Sequence, residues 1–321
     1  MVLSQVIVFL ILLLVLLIYQ RLALKFGIVD KPNVRSSHTH STVRGGGIVF
    51  PIAVVLWWMA YDFQHNWMVL GILVISGISM LDDMYTISSR IRFAVQFLAL
   101  SMAFYDLDVF SQIHWAGLPL LYFVSLGIIN AINFMDGING ITGLCGLVFF
   151  GGLLAVNAYN DLFDENLIHY EIMAICVFLL FNLRKKALMF AGDIGSISMA
   201  YLIIYFLTQW YLVEPTWTLI LFLAIYGGDS VMTIFIRLKN RENVFKPHRS
   251  HLYQLFANQA KKDHVIISLV YALLQIAVNF FLFIYPQSTP STMIGLGLLI
   301  GLGIVYLVIK FLLEKKYQPQ V

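Results

Sequence analysis

Five stretches of this chain carry residues whose types and spacing suit chemistry on phosphates. Asp82 and Asp83 are adjacent acids that close an apolar run. Asn130-Ala-Ile-Asn133-Phe-Met-Asp136-Gly-Ile-Asn139-Gly140 sets Asn130, Asn133 and Asp136 three apart, so that they would share one face of a helix end. Phe190-Ala-Gly192-Asp193-Ile-Gly195-Ser196 is a glycine-rich start to another apolar run. There Asp193 reads either as a simple N-cap or as a metal ligand beside backbone N–H groups offered to phosphate. Two basic segments complete the set: Asp30 through Arg35, His38 and Arg44-Gly-Gly-Gly47, and Lys246-Pro-His248-Arg249-Ser-His251. Arg and Lys beside the two histidines point to a polyanion rather than to a metal. Carboxylates together with phosphate-binding loops are what magnesium-assisted phosphoryl transfer requires, because Mg²⁺ takes a few carboxylates plus the substrate's own phosphates. Each stretch also has a plain structural reading: a solvated helix end, a turn, a cap or a charged loop. Asp229 reads as structural, bonding neighbouring helices or a basic residue.

The elements that would position these residues are membrane helices. Of 321 residues, 60% are apolar and 12% charged, against roughly 25% charged in a soluble domain. That composition, with a mean hydropathy of +0.85, excludes a soluble enzyme, a disordered chain and a nucleic-acid binder. Cys145 and Cys176 both lie within apolar runs and imply no disulfide framework. With about 17–25 apolar residues per span, eleven candidate spans emerge: 2–19, 45–60, 67–81, 91–104, 117–132, 138–156, 170–182, 194–212, 216–236, 264–285 and 291–313. The first has no basic residue before it and no Ala-x-Ala exit, so it is expected to stay as a span rather than to be removed as a signal. All twenty Lys and Arg fall in 21–44, 90–92, 184–186, 237–262 and 310–316, which are alternate connections only. By the positive-inside rule the N-terminus is outside and the C-terminus cytoplasmic. The expected fold is an all-α integral membrane protein: one multi-pass domain over 1–321, its site built from cytoplasmic loops 20–44, 82–92, 133–137, 183–196 and 237–263.

From about Asp30 to Gln259 the strings stand in the order found in the polyprenyl-phosphate N-acetylhexosamine-1-phosphate transferases. They are Pro32-x-x-Arg35-x-x-His38 with Arg44-Gly-Gly-Gly, Asp82-Asp83 followed by Arg92-x-x-x-Gln96, Asn133-x-x-Asp136-Gly-x-Asn139-Gly, Phe190-x-Gly-Asp193-x-Gly-Ser, and His248-Arg-Ser-His251. The chain resembles that family. The resemblance implies transfer of a sugar-1-phosphate from a UDP-N-acetylhexosamine to a polyprenyl phosphate lipid, with release of UMP. The reaction would depend on Mg²⁺, with Mn²⁺ as a substitute, at the cytoplasmic face of a bacterial inner membrane. It further implies Asp193 as principal metal ligand with Asp83 beside it, and Asp82 as proton acceptor for the lipid phosphate. Asp136, Asn133 and Asn139 would organise the nucleotide pocket, and Phe190 would stack on uracil. Arg35, His38, Arg44, His248, Arg249 and His251 would contact the substrates. A pairing of two copies is a further expectation.

Three departures bear on the substrate. Thr42-Val43 precedes Arg44 where Thr-Pro is commoner, Asn139 replaces the second acid of its string, and the basic loop has fewer histidines than usual. They argue against phospho-MurNAc-pentapeptide transfer and toward initiation of a glycan such as O-antigen, capsule or wall polymer. A secondary transporter is the rival from another class. It would place acids near mid-membrane, whereas here only Asp229 lies well inside a span.

Overall fold

The computed structural model describes residues 2–30, 41–243 and 249–317. All eleven expected runs are helical. They are α1 (Val2–Phe26), α2 (Val49–Ala60, led by a 3₁₀ turn from Gly46), α3 (Asn66–Met84), α4 (Ser89–Asp106), α6 (Leu118–Met135), α7 (Ile141–Asn160), α8 (Glu165–Asn182), α9 (Gly192–Val213), α10 (Ala224–Lys239, led by a 3₁₀ segment from Trp217), α12 (His264–Asn279, continued by a π-helical turn to Ile284) and α13 (Thr292–Tyr317). Short helices α5 (Val109–Gln112) and α11 (Leu252–Gln254) lie in the connections. Among the described residues nine helices are long and apolar enough to span a membrane, and Gly46–Ala60 is a shorter apolar helix. The eleventh, α4, begins at Ser89-Arg-Ile-Arg92 and ends at Asp106. Runs that look short in sequence gain their length from polar ends: 67–81 becomes Asn66–Met84, and 170–182 becomes Glu165–Asn182.

Helix α9 is the axis of the bundle. It is buried along most of its length and packs against α3, α6, α2 and α4. Close approach is achieved with glycine. A Cβ on Gly47 would collide with the backbone of Gly195, and one on Gly71 with the Tyr201 hydroxyl. Tyr201 instead donates to the Met68 carbonyl at 2.9 Å, fixing α9 against the start of α3. Helices α1, α2, α7 and α8 form a second group, and α10, α12 and α13 a third.

The extended structure is a two-stranded antiparallel ladder, β1 (Val29–Asp30) with β2 (Thr42–Val43), pairing Val29 with Val43. It joins the 183–190 connection through a bridge from Val43 to Met189 and a bond from Phe190 N to the Val43 carbonyl. Arg44 therefore follows directly from a strand held against the entry to α9.

Candidate active site

The C-terminus of α3, the N-terminus of α4 and the N-terminus of α9 meet at one end of the bundle, and their acids and bases interlock. Two carboxylates at a helix C-terminus are opposed by that helix's own dipole; the structure shows how each is compensated. Asp82 accepts from Arg92 Nη1 at 2.8 Å and from the Ile87 amide at 2.8 Å. Asp83, fully buried, meets Arg44 Nε at 2.6 Å. It also accepts the backbone N–H groups of Asp193 at 2.9 Å and Ile194 at 3.1 Å. Asp83 is thus the anion at the positive end of α9, across the interface from its own helix.

This arrangement corrects two readings. Asp193 is not its own helix's cap, since Asp83 supplies that bond from α3. Nor are the glycine strings open phosphate loops. The amides at 193 and 194 go to Asp83, while Gly46 and Gly47 donate to the carbonyls of Phe190 and Ala191. Glycine serves a different purpose here. Gly45 (φ +82°) and Gly192 (φ +73°) adopt left-handed backbone that other residues resist. A Cβ on Gly192 would reach 2.5 Å from Asp83 Oδ2 and 2.8 Å from the Gly45 amide, so only glycine lets Asp83 seat against the entry to α9.

The Asp193 side chain, freed from capping, turns toward the other acids. Its Oδ1 accepts from Arg44 Nη2 at 3.2 Å and Asn133 Nδ2 at 3.3 Å. Its Oδ2 lies 3.8 Å from Arg92 Nη1, the same nitrogen that bonds Asp82. Three carboxylates therefore face two guanidiniums, and both guanidiniums remain more than a third exposed. Burial works against the charge on Arg44, and Asp83 followed by Asp193 more than offset it. Its carbonyl is pinned by the Tyr19 hydroxyl of α1 at 2.7 Å.

Helix α6 ends at Met135, so Asn130, Asn133 and Asp136 do not act as one face. Asn130 bonds back to the Leu126 carbonyl on the exposed side. Asn133 reaches Asp193 and the Ser196 hydroxyl. Asp136, past the helix end, accepts from Thr142 Oγ1 at 2.6 Å, and burial pushes its carboxyl up to about 7. Asn139 is buried, with its amide engaged by the carbonyls of Arg184 and Lys185. In this structure it shapes the 183–190 connection rather than joining the acids. Phe190 is half-buried on the strand-like entry to α9.

In the other basic loop, Arg249 leads into His251, which is buried with its Nδ1 3.5 Å from Asp229. Asp229 is structural, as its place within a span suggests: it accepts from loop amides and from tyrosines of two other helices. Arg35, His38 and His248 lie outside the described residues. Among the described residues no group of three His, Cys, Asp or Glu side chains forms a ready metal cage.

Asn182 and Thr142 belong to the site's framework and carry no recognisable string. Asn182 accepts from the Gly140 amide at 2.6 Å and donates to the Met189 carbonyl at 2.8 Å, tying the 136–140 turn to the entry of α9. An asparagine closing an apolar run was the available signal.

Comparison with known proteins points the same way. Residues 65–211, which hold all three converging acids, match the model of glycosyl transferase family 4. A probable undecaprenyl-phosphate N-acetylglucosaminyl 1-phosphate transferase of Bacillus subtilis is 27% identical over 74% of this chain and 71% of its own length. Undecaprenyl-phosphate alpha-N-acetylglucosaminyl 1-phosphate transferases of Yersinia pestis and Escherichia coli K12 are 29% and 28% identical, over 81% and 79% of this chain and 78% and 77% of their own lengths.

Proposed function

Because the chain belongs to the polyprenyl-phosphate N-acetylhexosamine-1-phosphate transferases, we propose that it transfers an N-acetylhexosamine 1-phosphate from its UDP-sugar to undecaprenyl phosphate and releases UMP. The observation that carries this reading is the convergence of Asp82, Asp83 and Asp193 with Arg44 and Arg92 at one end of α3. The relatives' names favour N-acetylglucosamine over a MurNAc-pentapeptide. The reading places the protein in the bacterial inner membrane with this end of the bundle facing the cytoplasm, as the distribution of basic residues supports.

The donor set fits Mg²⁺. The oxygens are hard, and three carboxylates outnumber two guanidiniums that both remain more than a third exposed. Asp193 and Asp83 would hold the ion. Asp83 uses three of about four acceptor positions on the α9 amides and Arg44, leaving roughly one. When bound, the ion offsets charge on the diphosphate and on the departing UMP.

The chain's own residues perform the rest. A lipid phosphate oxygen forms a bond to the β-phosphorus of the UDP-sugar as the bond from that phosphorus to the bridging oxygen breaks, and the electron pair leaves with UMP. Asp82 accepts the proton of the lipid phosphate, oriented by Arg92 and the Ile87 amide. Arg44 and Arg92, half-exposed, screen repulsion between the two anionic substrates. Asn133 fixes the Asp193 carboxyl from α6, and Phe190 offers an aromatic face to the base.

The test is to incubate membranes containing the protein with undecaprenyl phosphate, Mg²⁺ and a panel of UDP-N-acetylhexosamines, measuring UMP and the lipid product. UMP with UDP-N-acetylglucosamine is expected. No UMP with any sugar would overturn the reading.

A further inference from the structure

Asp229 is an acid buried in a membrane span, at 3% exposure, and it does not touch the converging carboxylates. A carboxylate there is costly unless donors surround it, and they do. Its Oδ1 accepts from the Leu252 amide at 2.9 Å, Thr233 Oγ1 at 3.2 Å and the Tyr306 hydroxyl at 3.3 Å. Its Oδ2 accepts from the Tyr271 hydroxyl at 2.8 Å and the Tyr253 amide at 3.2 Å. These donors divide into two sets. Thr233, Tyr271 and Tyr306 come from α10, α12 and α13; the two amides come from the chain directly after Arg249-Ser-His251, whose His251 ring also approaches.

The loop is fixed again on either side. Lys310 of α13 donates to the Ser250 carbonyl at 2.9 Å. Tyr253 donates to the Phe134 carbonyl at 2.9 Å, and its hydroxyl lies so close to Gly137 that no Cβ would fit there. Phe134 adjoins Asn133, whose amide reaches Asp193. A continuous line of contacts thus runs from Asp229 through the 252–253 backbone and Tyr253 to the turn that holds the principal acid.

We propose that Asp229 is a positioning residue for the transfer reaction: it holds the Arg249–His251 loop in fixed register against the Asn133–Asp136 turn, so that the nucleotide-sugar meets a preformed site. This rests on the function proposed above. Asp229 makes no contact with the reacting groups; its effect passes through the loop.

Asp229→Asn keeps the shape but turns an NH₂ group toward converging donors. The KM for UDP-sugar should rise about tenfold with kcat and the lipid KM little changed, the pattern of lost binding rather than lost chemistry. Hydrogen exchange of the Leu252 and Tyr253 amides should quicken, and the change should extend to the 133–137 turn but not to α1, α2 or α8. Tyr253→Phe should raise the same KM, and the double variant should be no worse than the more impaired single, because both cut one line. Should Asp229→Asn not fold, Lys310→Met together with Tyr253→Phe decides: both must raise the UDP-sugar KM selectively. Unchanged exchange at 252–253, an equal rise in both KM values, or a uniform loosening of all helices overturns the proposal. A wild-type protein that releases no UMP overturns the functional reading instead, and the exchange data still decide whether Asp229 positions the loop.

Discussion

The two ends of α3 carry polar clusters built from the same three helices, and they are assembled in opposite ways. At the start of α3, His65 Nδ1 meets Asp106 of α4 at 2.7 Å, and Tyr205 of α9 donates to Asp106 at 3.0 Å. The Met68 amide adds a longer bond at 3.4 Å, and the His65 ring stacks on Trp57. One carboxylate is ringed by matched donors there. At the other end, some sixteen residues and about 24 Å along the helix, three carboxylates crowd together and two partly exposed arginines compensate them incompletely. The first cluster is closed and joins helices. The second retains acceptor capacity and partly exposed cations, which is what a site for phosphorylated substrates and a cation needs.

That contrast can be broken in graded steps. The largest effect belongs to Asp193→Asn, which should lower UMP release by about a thousandfold and abolish its response to added Mg²⁺. Asp82→Asn should slow turnover by about a hundredfold, as expected for a lost proton acceptor, while UDP-sugar still binds; an equal loss of affinity would assign Asp82 to binding instead.

Asp136 tests the margin of the site by pH. Its carboxyl is held at about 7 in the folded protein against 3.8 ordinarily. A raised carboxyl contributes its full stability below about pH 4, and that contribution is lost as pH rises through about 7. The wild-type Tm should therefore fall between pH 5 and pH 8, and Asp136→Asn should flatten that fall.

The smallest effect on turnover belongs to the closed cluster. Asp106→Asn should lower Tm by a few degrees and leave UMP release unchanged. The hydrogen bond that the His65 ring donates to Asp106 raises its pKa above the ordinary value. The pair's charged contribution is complete below about pH 6.5 and is lost as pH climbs through the raised value. The Tm cost of Asp106→Asn should accordingly be greater at pH 6 than at pH 9.

Much of this was legible in the sequence because hydropathy and charge placement report directly on the membrane. All eleven helical runs could be located, and a basic partner for Asp82 and Asp83 was foreseeable from the conflict with their helix dipole. Which partner served which acid was not legible, because the decisive bonds cross from α3 to α9, over a hundred residues away in sequence. The same limit explains Gly45–Gly47. Glycine for close helix contact and glycine for binding phosphate look alike in one dimension, and only the packing against Gly195 separates them. Asn139 and Asp136 stand three apart in one string yet face different partners, because both lie in the turn between the end of α6 and the start of α7, where helical spacing no longer holds.

The most direct test compares the two clusters in one assay. Membranes carrying wild-type protein, Asp193→Asn or Asp106→Asn are given undecaprenyl phosphate, UDP-N-acetylglucosamine and Mg²⁺, and UMP is measured against equal amounts of folded protein. The wild type and Asp106→Asn should release UMP, and Asp193→Asn essentially none. Wild-type release by Asp193→Asn, or its loss in Asp106→Asn alone, would contradict it.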